Sequence, residues 1–250
     1  MKRIGVMSAM VEEMDILLDK LENKKTRTIG QREYNCGVLW GNKVVLVFSR
    51  WGKVAASSTT TTLITEFKVD EIIFTGVAGA IDSKINIGDV IVAENLYQHD
   101  FDASPFLLQH VLPLIMKKEI GTHPSVRNKL FDSGVNFLKE QMKEKISDDY
   151  LNEFNISDPK IVIGNIASGD QFIKDSKRRD EIKSSLENVL AVEMEGAAVA
   201  QVCYEYGIPL GVIRTISDDA NDEAIKDFPK FVYNIASQYS YNILKNYLLK

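Results

Sequence analysis

Acidic side chains follow several apolar segments of this chain at the point where each segment ends. One pair follows the first apolar segment, a second pair interrupts the run "LAVEMEGAAVA", and a third follows "VIRTI"; the residues are Glu12, Glu13, Glu193, Glu195, Asp218 and Asp219. Charged side chains are rarely buried without a partner. Carboxylates that meet in one cleft can act as general acid and general base. Acid–base chemistry is therefore the first functional hypothesis.

Each acidic pair also has a structural interpretation. The first glutamate pair would favour a helix N-terminus through the macrodipole, and the aspartate pair suits a solvated loop. The middle pair could begin a helix that packs closely through the small residues following it. These alternatives stay open for each pair, and the shared placement of the acids favours a site.

Two further polar motifs end apolar segments. "GVAGA" follows residues 72–75 and "SGDQF" follows residues 161–167. Ligand sites in open α/β sheets lie beyond the carboxyl ends of the strands, so five such ends would bring several carboxylates to one crevice. "GVAGA" lacks the spacing of the dinucleotide fingerprint G-x-G-x-x-G, and either motif could be a plain turn.

Apolar periodicity predicts strands that alternate with helices, which is typical of an α/β fold with a largely parallel or mixed sheet. Strands are predicted at residues 3–9, at both halves of residues 32–49 around a Gly41-Asn42 turn, and at the start of residues 70–80, 88–100, 160–172, 187–207 and 209–221. Helices are predicted at residues 10–22 and 52–68, in most of 118–160, before a cap near Gly207, and from Asp227 onward. No linker or repeat interrupts the chain, so residues 1–250 are expected to form one domain.

Composition narrows the function classes. The chain has 250 residues and a net charge of -5, with no basic stripe, so nucleic acid is not an expected partner. Neither a secretory segment nor an apolar run of membrane-spanning length is expected. We therefore expect a cytoplasmic location. Two distant cysteines and three scattered histidines give no disulfide framework or zinc spacing.

The motifs together resemble the 5'-methylthioadenosine/S-adenosylhomocysteine nucleosidase family of the nucleoside phosphorylase/hydrolase superfamily. "IGVMSAMVEEM", "WGKVAA", "FTGVAGA", "GDVIVA", "SGDQFI", "AVEMEGAAVAQVC" and "VIRTISDDA" occur in the order that this family has. The resemblance implies a three-layer αβα sandwich with a central mixed, twisted sheet and a single nucleosidase domain over residues 1–250. It also implies a homodimer without metal or organic cofactor. The implied reaction releases adenine from methylthioadenosine or adenosylhomocysteine, as in methionine salvage.

The resemblance assigns the catalytic groups. Asp218 matches the general acid that acts at N7 of adenine, and Ser217 matches a residue that orients this acid or the base. Glu13 matches the residue that positions and deprotonates the attacking water, whereas its neighbour Glu12 should point elsewhere. A proton held near neutral pH needs a raised pKa, which burial or the charge of Asp219 would supply.

The same resemblance assigns the ribose site. Glu195 matches a carboxylate that accepts hydrogen bonds from both ribose hydroxyls, and Met194 matches an apolar surface against the sugar. Arg214 matches a basic residue near Glu195 and the water, and pairing with an arginine would make a buried carboxylate tolerable. A supporting polar role is expected for Glu193.

Other positions match the base and the 5' substituent. The adenine site would comprise a stacking ring, a main-chain contact, a close glycine and a second ring: Phe172, Ile173, Gly79 and Phe228. The resemblance implies that Phe106 and Pro113 form an apolar wall donated by the other subunit. The chain departs from the family at Val77, where many members have serine, and at Arg50 and Trp51, where glycine and isoleucine are common.

Three alternative functions are open at this point. A phosphate-dependent purine nucleoside phosphorylase of the same superfamily would need basic residues, but "SAMVEEM" offers two glutamates and no arginine. A nucleosidase for another purine nucleoside, such as futalosine, would share most of the site. A non-catalytic purine-binding protein could use the same scaffold, but it would not need both Asp218 and Glu13.

Overall fold

The strands of the protein form one mixed sheet. The computed structural model describes residues 2–113, 115–220 and 228–250. In these residues ten strands share the sheet. They are β1 (Arg3–Ser8), β2 (Glu22–Ile29), β3 (Arg32–Leu39), β4 (Asn42–Phe48), β5 (Glu71–Ala80), β6 (Val90–Gln98), β7 (Glu119–Gly121), β8 (Ile161–Ser168), β9 (Val189–Glu193) and β10 (Leu210–Asp218).

Helices lie between the strands in the sequence. They are α1 (Asp15–Asp19), α2 (Lys53–Thr65), α3 (Pro124–Asn136), α4 (Met142–Lys145), α5 (Asp148–Glu153), α6 (Ser176–Ser185), α7 (Gly196–Tyr206), α8 (Phe228–Phe231) and α9 (Ser237–Leu249). Single π-helical stretches, Phe137–Gln141 and Val232–Ala236, lead into α4 and α9. No helix of the described ranges is long and apolar enough to cross a membrane.

The sheet separates two apolar cores, which makes three layers. Leu63 of α2 and Val199 of α7 belong to the core on one face. Leu130 of α3 and Leu244 of α9 belong to the core on the other face. Successive strand residues point to opposite faces, so strands buried on both sides read as continuous apolar runs. The predicted αβα sandwich with a mixed sheet is confirmed.

Five strands of the sheet close on one another. β5 pairs with β10, β10 with β6, β6 with β8, β8 with β9, and β9 returns to β5. β1 also pairs with β5, and β4, β3 and β2 continue the sheet outward from β1 in that order. Because β6 pairs with β10 in antiparallel orientation, β6, β8 and β9 run opposite to β5 and β10.

The contact between β5 and β9 positions the site. These antiparallel strands share two residue pairs, Gly79 with Val192 and Ala80 with Ala191. The carboxyl end of β9 therefore overlaps the carboxyl end of β5, although the strands run in opposite directions. β8 runs parallel to β9 and places Ser168 beside Glu193. In this mixed sheet the antiparallel contact brings the ends of β5, β8 and β9 together.

Most predicted elements are confirmed, including the helix at Lys53–Thr65 and the cap at Gly207, whose φ of 66° is left-handed. The first predicted helix is wrong in extent, because α1 covers Asp15–Asp19 and residues from Glu22 onward form β2. The hairpin turn is centred on Trp40 and Gly41, both with positive φ, one residue before the predicted pair. The predicted C-terminal helix is described from Phe228, and its predicted first residue, Asp227, lies outside the described residues.

The motif "GVAGA" is strand and not a turn. β5 continues through it to Ala80, because residues 76–79 pair with β10. Its glycines leave room for acidic side chains. A Cβ at Gly76 would lie 3.0 Å from Glu13 Oε1, and one at Gly79 would lie 2.7 Å from Asp218 Oδ1.

Candidate active site

A cleft of about 410 Å³ opens where the strand ends meet. The segments after β1, β8 and β9 and the ends of β5 and β10 contribute its walls, together with the start of α8. The lining residues are Ala9, Met10, Glu13, Trp51, Gly76, Val77, Ala78, Gly79, Gln171, Phe172, Ile173, Val192, Glu193, Met194, Glu195, Arg214, Ser217, Asp218, Phe228 and Pro229. The structure thus brings together every predicted site residue except Phe106 and Pro113.

Glu13 is held by main-chain amides on two sides. Its Oε2 accepts hydrogen bonds from the N–H groups of Ala9 (3.2 Å) and Met10 (3.1 Å), and Oε1 accepts one from Val77 (3.1 Å). The chain after β1 wraps around this buried carboxylate, which explains why the predicted helix starts late. Burial raises the pKa of Glu13 to about 7, against the lowering effect of Arg214 and the three amides. The neighbouring Glu12 is exposed.

Glu193 explains how an acidic pair is tolerated inside "LAVEMEGAAVA". Its Oε2 lies 2.7 Å from Arg214 Nη2, and both side chains are almost fully buried. Its carboxylate also accepts the N–H of Gly196 at the start of α7, and the hydroxyl of Ser168 donates to Oε1. Arg214 was expected near Glu195 and the water; its charge acts on Glu195 and Glu13, and its ion pair is with Glu193. The supporting role expected for Glu193 is therefore a charge pair that also satisfies a helix N-terminus.

Arg214 is fixed from three directions. Its Nη1 donates to the carbonyl oxygens of Phe74 and Ile213, both at 3.1 Å, and the guanidinium lies 4.1 Å from the centre of the Phe74 ring. It is 2% exposed. Planar donors in a fixed fork suit such a buried pair better than a lysine would.

Glu195 has one protein partner on the cleft side. Its Oε1 accepts the N–H of Gly52 at 2.7 Å, and Oε2 has no hydrogen bond within the described ranges. Burial, with the charge of Glu193 beside it, raises the pKa of Glu195. Gly52 was not predicted as a site residue. Its signal in the sequence is a glycine directly before a helix, here with φ 91°.

Asp218 lies at the opposite wall and is also buried. The hydroxyl of Ser217 donates to its Oδ2 at 2.7 Å, and the N–H of Ala220 donates to Oδ1 at 2.9 Å. Burial raises the pKa of Asp218 against these two donors, and the charge of exposed Asp219 acts in the same direction. The carboxyl is thus biased toward its protonated form.

Aromatic and apolar side chains form the mouth of the cleft. Phe172 and Phe228 meet edge to face, with ring centres 6.4 Å apart at 81°. Ile173 is buried beneath them, and Met194 is half-buried between the two glutamates of its motif. Trp51, one of the departures from the family pattern, is 66% exposed at the rim.

Two predicted residues do not reach the cleft of this chain. Phe106 is 90% exposed and Pro113 is exposed, and neither lines the cavity. Their predicted contribution was to a second subunit's site, so it stays a prediction.

The fold and the site define an α/β enzyme with a buried carboxylate cluster at converging strand ends. Residues 3–249 match the family model of the phosphorylase superfamily, and the chain belongs to that family. It is 37% identical over 230 residues to a 5'-methylthioadenosine/S-adenosylhomocysteine nucleosidase of Bacillus cereus (strain B4264), covering 92% of this chain and 91% of the relative. The resemblance drawn from the motifs is confirmed.

Solved structures with the same fold cover nearly the whole chain. The nucleosidase of the same name from S. pneumoniae, with the transition-state inhibitor MT-ImmA, has a TM-score of 0.83 and 31% identity. The match covers 99% of this chain and 98% of the S. pneumoniae chain. A futalosine hydrolase of Helicobacter pylori strain 26695 has a TM-score of 0.83 and 32% identity, covering 99% and 97%.

The buried ion pair predicts a large and specific stability effect. Arg214→Met leaves the Glu193 carboxylate buried without its partner, so the free energy of unfolding should fall by about 3–5 kcal/mol. Adding Glu193→Gln removes the uncompensated charge and should restore part of that loss. Urea unfolding of the single and double variants measures both effects.

The matched control is the exposed pair of Arg178 with Glu181, 3.0 Å apart on α6. Arg178→Met should change the unfolding free energy by less than about 1 kcal/mol. An Arg214→Met loss no larger than that of Arg178→Met would contradict the central role of the buried pair.

The raised pKa of Glu13 predicts that the free energy of unfolding depends on pH. Its folded pKa of about 7 exceeds the ordinary value of 4.5, so the folded state holds the proton more tightly than the unfolded chain. The stabilisation from this group is complete below about pH 4.5 and is lost as the pH rises to about 7. The unfolding free energy of the native chain, minus that of Glu13→Gln, should fall across this window by at most about 1.4 kcal/mol per pH unit. Urea titrations at several pH values measure the difference.

Glu12→Gln is the control, because Glu12 is adjacent but exposed. Its difference from the native chain should stay constant across the same pH range. A constant difference for Glu13→Gln as well would mean that Glu13 titrates as a solvated glutamate.

Proposed function

We propose that the protein hydrolyses the N-glycosidic bond of 5'-methylthioadenosine and S-adenosylhomocysteine, releasing adenine and the 5'-thioribose. The observation that carries this proposal is the presence of Glu13, Glu195 and Asp218 as buried carboxylates in one cleft. The relative from B. cereus and the structure from S. pneumoniae, both bearing the name of this nucleosidase, support the substrate class.

Asp218 is the proposed general acid. Cleavage places negative charge on the departing purine, and protonation at N7 neutralises it. Burial raises the pKa of Asp218, which is the direction that a general acid needs, and Ser217 fixes the carboxyl by a hydrogen bond to Oδ2. Phe172 and Ile173 lie in the same cleft and would contact the purine, the first through its ring and the second through its main chain. The Asp218 carboxyl packs against the main chain of Gly79, because a Cβ at position 79 would collide with Asp218 Oδ1.

Glu13 is the proposed base for water. With a pKa of about 7, it is ionised in a substantial fraction of molecules at neutral pH and can still accept a proton, which is the condition for effective general-base catalysis. Three amides fix its two oxygens, so the carboxylate is oriented before substrate binds. A water held by Glu13 attacks the anomeric carbon as the bond to adenine breaks.

Glu195 and Met194 are the proposed ribose contacts. Oε1 of Glu195 is engaged by Gly52, so Oε2 is the oxygen available to a ribose hydroxyl. Negative charge beside the sugar also stabilises the oxocarbenium-like transition state. Met194 supplies a soft apolar surface next to it, and Phe228 covers the purine or sugar from the rim.

The charges of the cleft favour water over phosphate as nucleophile. Arg214 is the one cationic side chain among the described lining residues, and its guanidinium is occupied by Glu193 and two carbonyls. A phosphate dianion there would lie beside the carboxyls of Glu13 and Glu195 and would find no free cation among the described lining residues. This arrangement supports hydrolysis over phosphorolysis.

A second substrate is worth testing. The H. pylori structure named futalosine hydrolase is as similar to this chain as the nucleosidase structure is. Both reactions would use the same acid, base and ribose contact, so the choice rests on the 5' side of the cleft. Trp51 and Val77, where this chain departs from the family pattern, lie in that cleft.

We also propose that residues 1–250 work as one nucleosidase domain in the cytoplasm, as a homodimer without nucleic-acid or membrane partners. Cys36 and Cys203 are both free thiols, which suits a reducing compartment. The site draws on residues from Ala9 to Pro229, which supports one functional unit.

The proposed dimer is supported by exposed apolar side chains. Phe106, Leu108 and Met116 are exposed on the segment after β6, and Val54 is exposed on α2. An ion pair of Lys53 with Asp100 ties this segment to α2. Large clustered apolar surfaces mark interfaces, and Phe106 and Pro113 would then reach the partner's cleft.

An adenine-release assay tests the reaction. The native chain should release adenine from 5'-methylthioadenosine at the same rate with and without phosphate. Asp218→Asn and Glu13→Gln should each lower kcat by about 10²–10⁴-fold, since each removes a proton-transfer group. Futalosine, in parallel, measures the second substrate.

Asp219→Asn and Glu12→Gln are matched controls, because both acids are adjacent to the catalytic ones but exposed. They should keep kcat within a few-fold of the native value. Strict dependence on phosphate would replace hydrolysis by phosphorolysis, and substrate binding without release would identify a purine-binding protein.

Sedimentation velocity tests the dimer. The native chain should sediment as a dimer, and Phe106→Asp should shift it toward monomer because a carboxylate is buried against the partner. Tyr233→Asp, at an exposed aromatic residue elsewhere, should leave the dimer intact. A native monomer at assay concentrations would rule out the shared site.

A further inference from the structure

We propose that Asp170 is a positioning residue that ties the purine-binding segment to the ribose-binding carboxylate through the N-terminus of α2. This inference deepens the proposed function and rests on it. Asp170 follows β8 and precedes Phe172 and Ile173, while Glu195 follows β9. The link between them is the start of α2, which both carboxylates share.

The two leading N–H groups of α2 have carboxylate partners from different parts of the chain. Gly52 N–H donates to Glu195 Oε1 and Lys53 N–H donates to Asp170 Oδ1, both at 2.7 Å. Gly52, the N-cap residue, offers no side chain of its own for this purpose. The first amides of a helix need outside acceptors, and negative groups are favoured there. Since Gly52 and Lys53 are consecutive, both hydrogen bonds hold the same turn of backbone at the start of α2.

Asp170 is itself held in place. Its N–H donates to Asp100 Oδ2 at 2.8 Å, and the other oxygen of Asp100 binds Lys53 Nζ at 2.6 Å. Lys53 Nζ also donates to Gln98 Oε1 at 3.1 Å. Lys53 is therefore attached to the purine-binding segment twice, directly through its amide and through Asp100. Asp170 cannot shift without moving the start of α2.

The carboxylate of Asp170 also makes a close steric contact with Gly52. A Cβ at Gly52 would lie 2.9 Å from Asp170 Oδ1, so the carboxylate packs directly against this glycine. The positive φ of Gly52, 91°, is a conformation that residues with side chains rarely adopt. Asp170 thus defines the position from which Gly52 reaches Glu195.

The loss of Asp170 should weaken binding of the ribose and not binding of the purine base. With Oε1 bound to Gly52, Oε2 of Glu195 is directed by a hydrogen bond that Asp170 holds in register. Losing Asp170 frees the start of α2, and Glu195 loses a fixed donor. Loss of a hydrogen bond to a charged group should weaken binding by roughly 10–100-fold. The effect should appear for nucleosides and be small for free adenine.

The kinetic test compares Asp170→Ala and Asp170→Asn with Asp175→Ala. Asp175 lies on the same segment and accepts Lys177 N–H at 2.8 Å as the cap of α6, so it controls for loosening of the segment. Asp170→Ala should raise KM for 5'-methylthioadenosine about 10-fold or more, with a smaller fall in kcat. Adenine affinity, measured by calorimetry, should change less than 3-fold. Asp170→Asn, which keeps an oxygen acceptor, should recover part of the loss, and Asp175→Ala should behave as the native enzyme.

A double-variant cycle tests whether Asp170 acts through Glu195. Asp170→Ala in a Glu195→Gln background should add less than about 2-fold to the loss caused by Glu195→Gln alone. Full additivity, or an equal loss in Asp175→Ala, would overturn the proposal.

A readout without substrate separates this inference from the proposed function. Carbon-detected NMR of glutamate-labelled protein follows the titration of the Glu195 carboxyl, assigned through Glu195→Gln. Asp170→Ala should raise the pKa of Glu195, because a donor to its ionised form is lost. An unchanged titration overturns the positioning role, whether or not adenine is released. A native chain that cleaves none of the nucleosides, with the titration shifted, would overturn the proposed function alone.

Discussion

The buried ion pair of Arg214 with Glu193 is the interaction on which the site depends. It places one positive charge at the centre of a cleft that otherwise contains acids. Desolvation of a lone charge is costly, and here the pair is completed by two carbonyls, a helix N-terminus and a serine hydroxyl. Replacing either partner alone would leave a charge that none of these groups can neutralise.

The other acids of the cleft differ from Glu193 because they lack a direct cation. Glu13 is surrounded by amides, Glu195 has one amide, and Asp218 has a hydroxyl and an amide. Burial therefore raises the pKa of all three, while the distant charge of Arg214 moderates it at Glu13 and Glu195. Carboxyl groups whose pKa values are raised are suited to general acid–base chemistry. Because Arg214 is paired with Glu193, the other three carboxyls have no direct cationic partner that would hold them in the ionised form.

The sequence predicted the layers and most strands because buried strands and amphipathic helices leave strong apolar patterns. It missed β2, Glu22–Ile29, because that strand is exposed along nearly its whole length and carries no such pattern. It did not assign the ion pair of Arg214 to Glu193, because pairing depends on side-chain direction at the end of β9, which spacing along the chain does not encode. Gly52 escaped notice for the same reason, since its partners Glu195 and Asp170 are more than a hundred residues away.

The closed ring of strands has a consequence for the order in which the protein can form. β10 is the last strand along the described chain, yet it lies between β5 and β6, two of the earlier ones. During synthesis from the N-terminus, β5 and β6 therefore expose unpaired edges until residues 210–218 have left the ribosome. Asp218 ends this strand, so the proposed general acid takes its place only when the ring closes. A nascent chain therefore lacks this acid, and exposes two strand edges, until β10 is inserted.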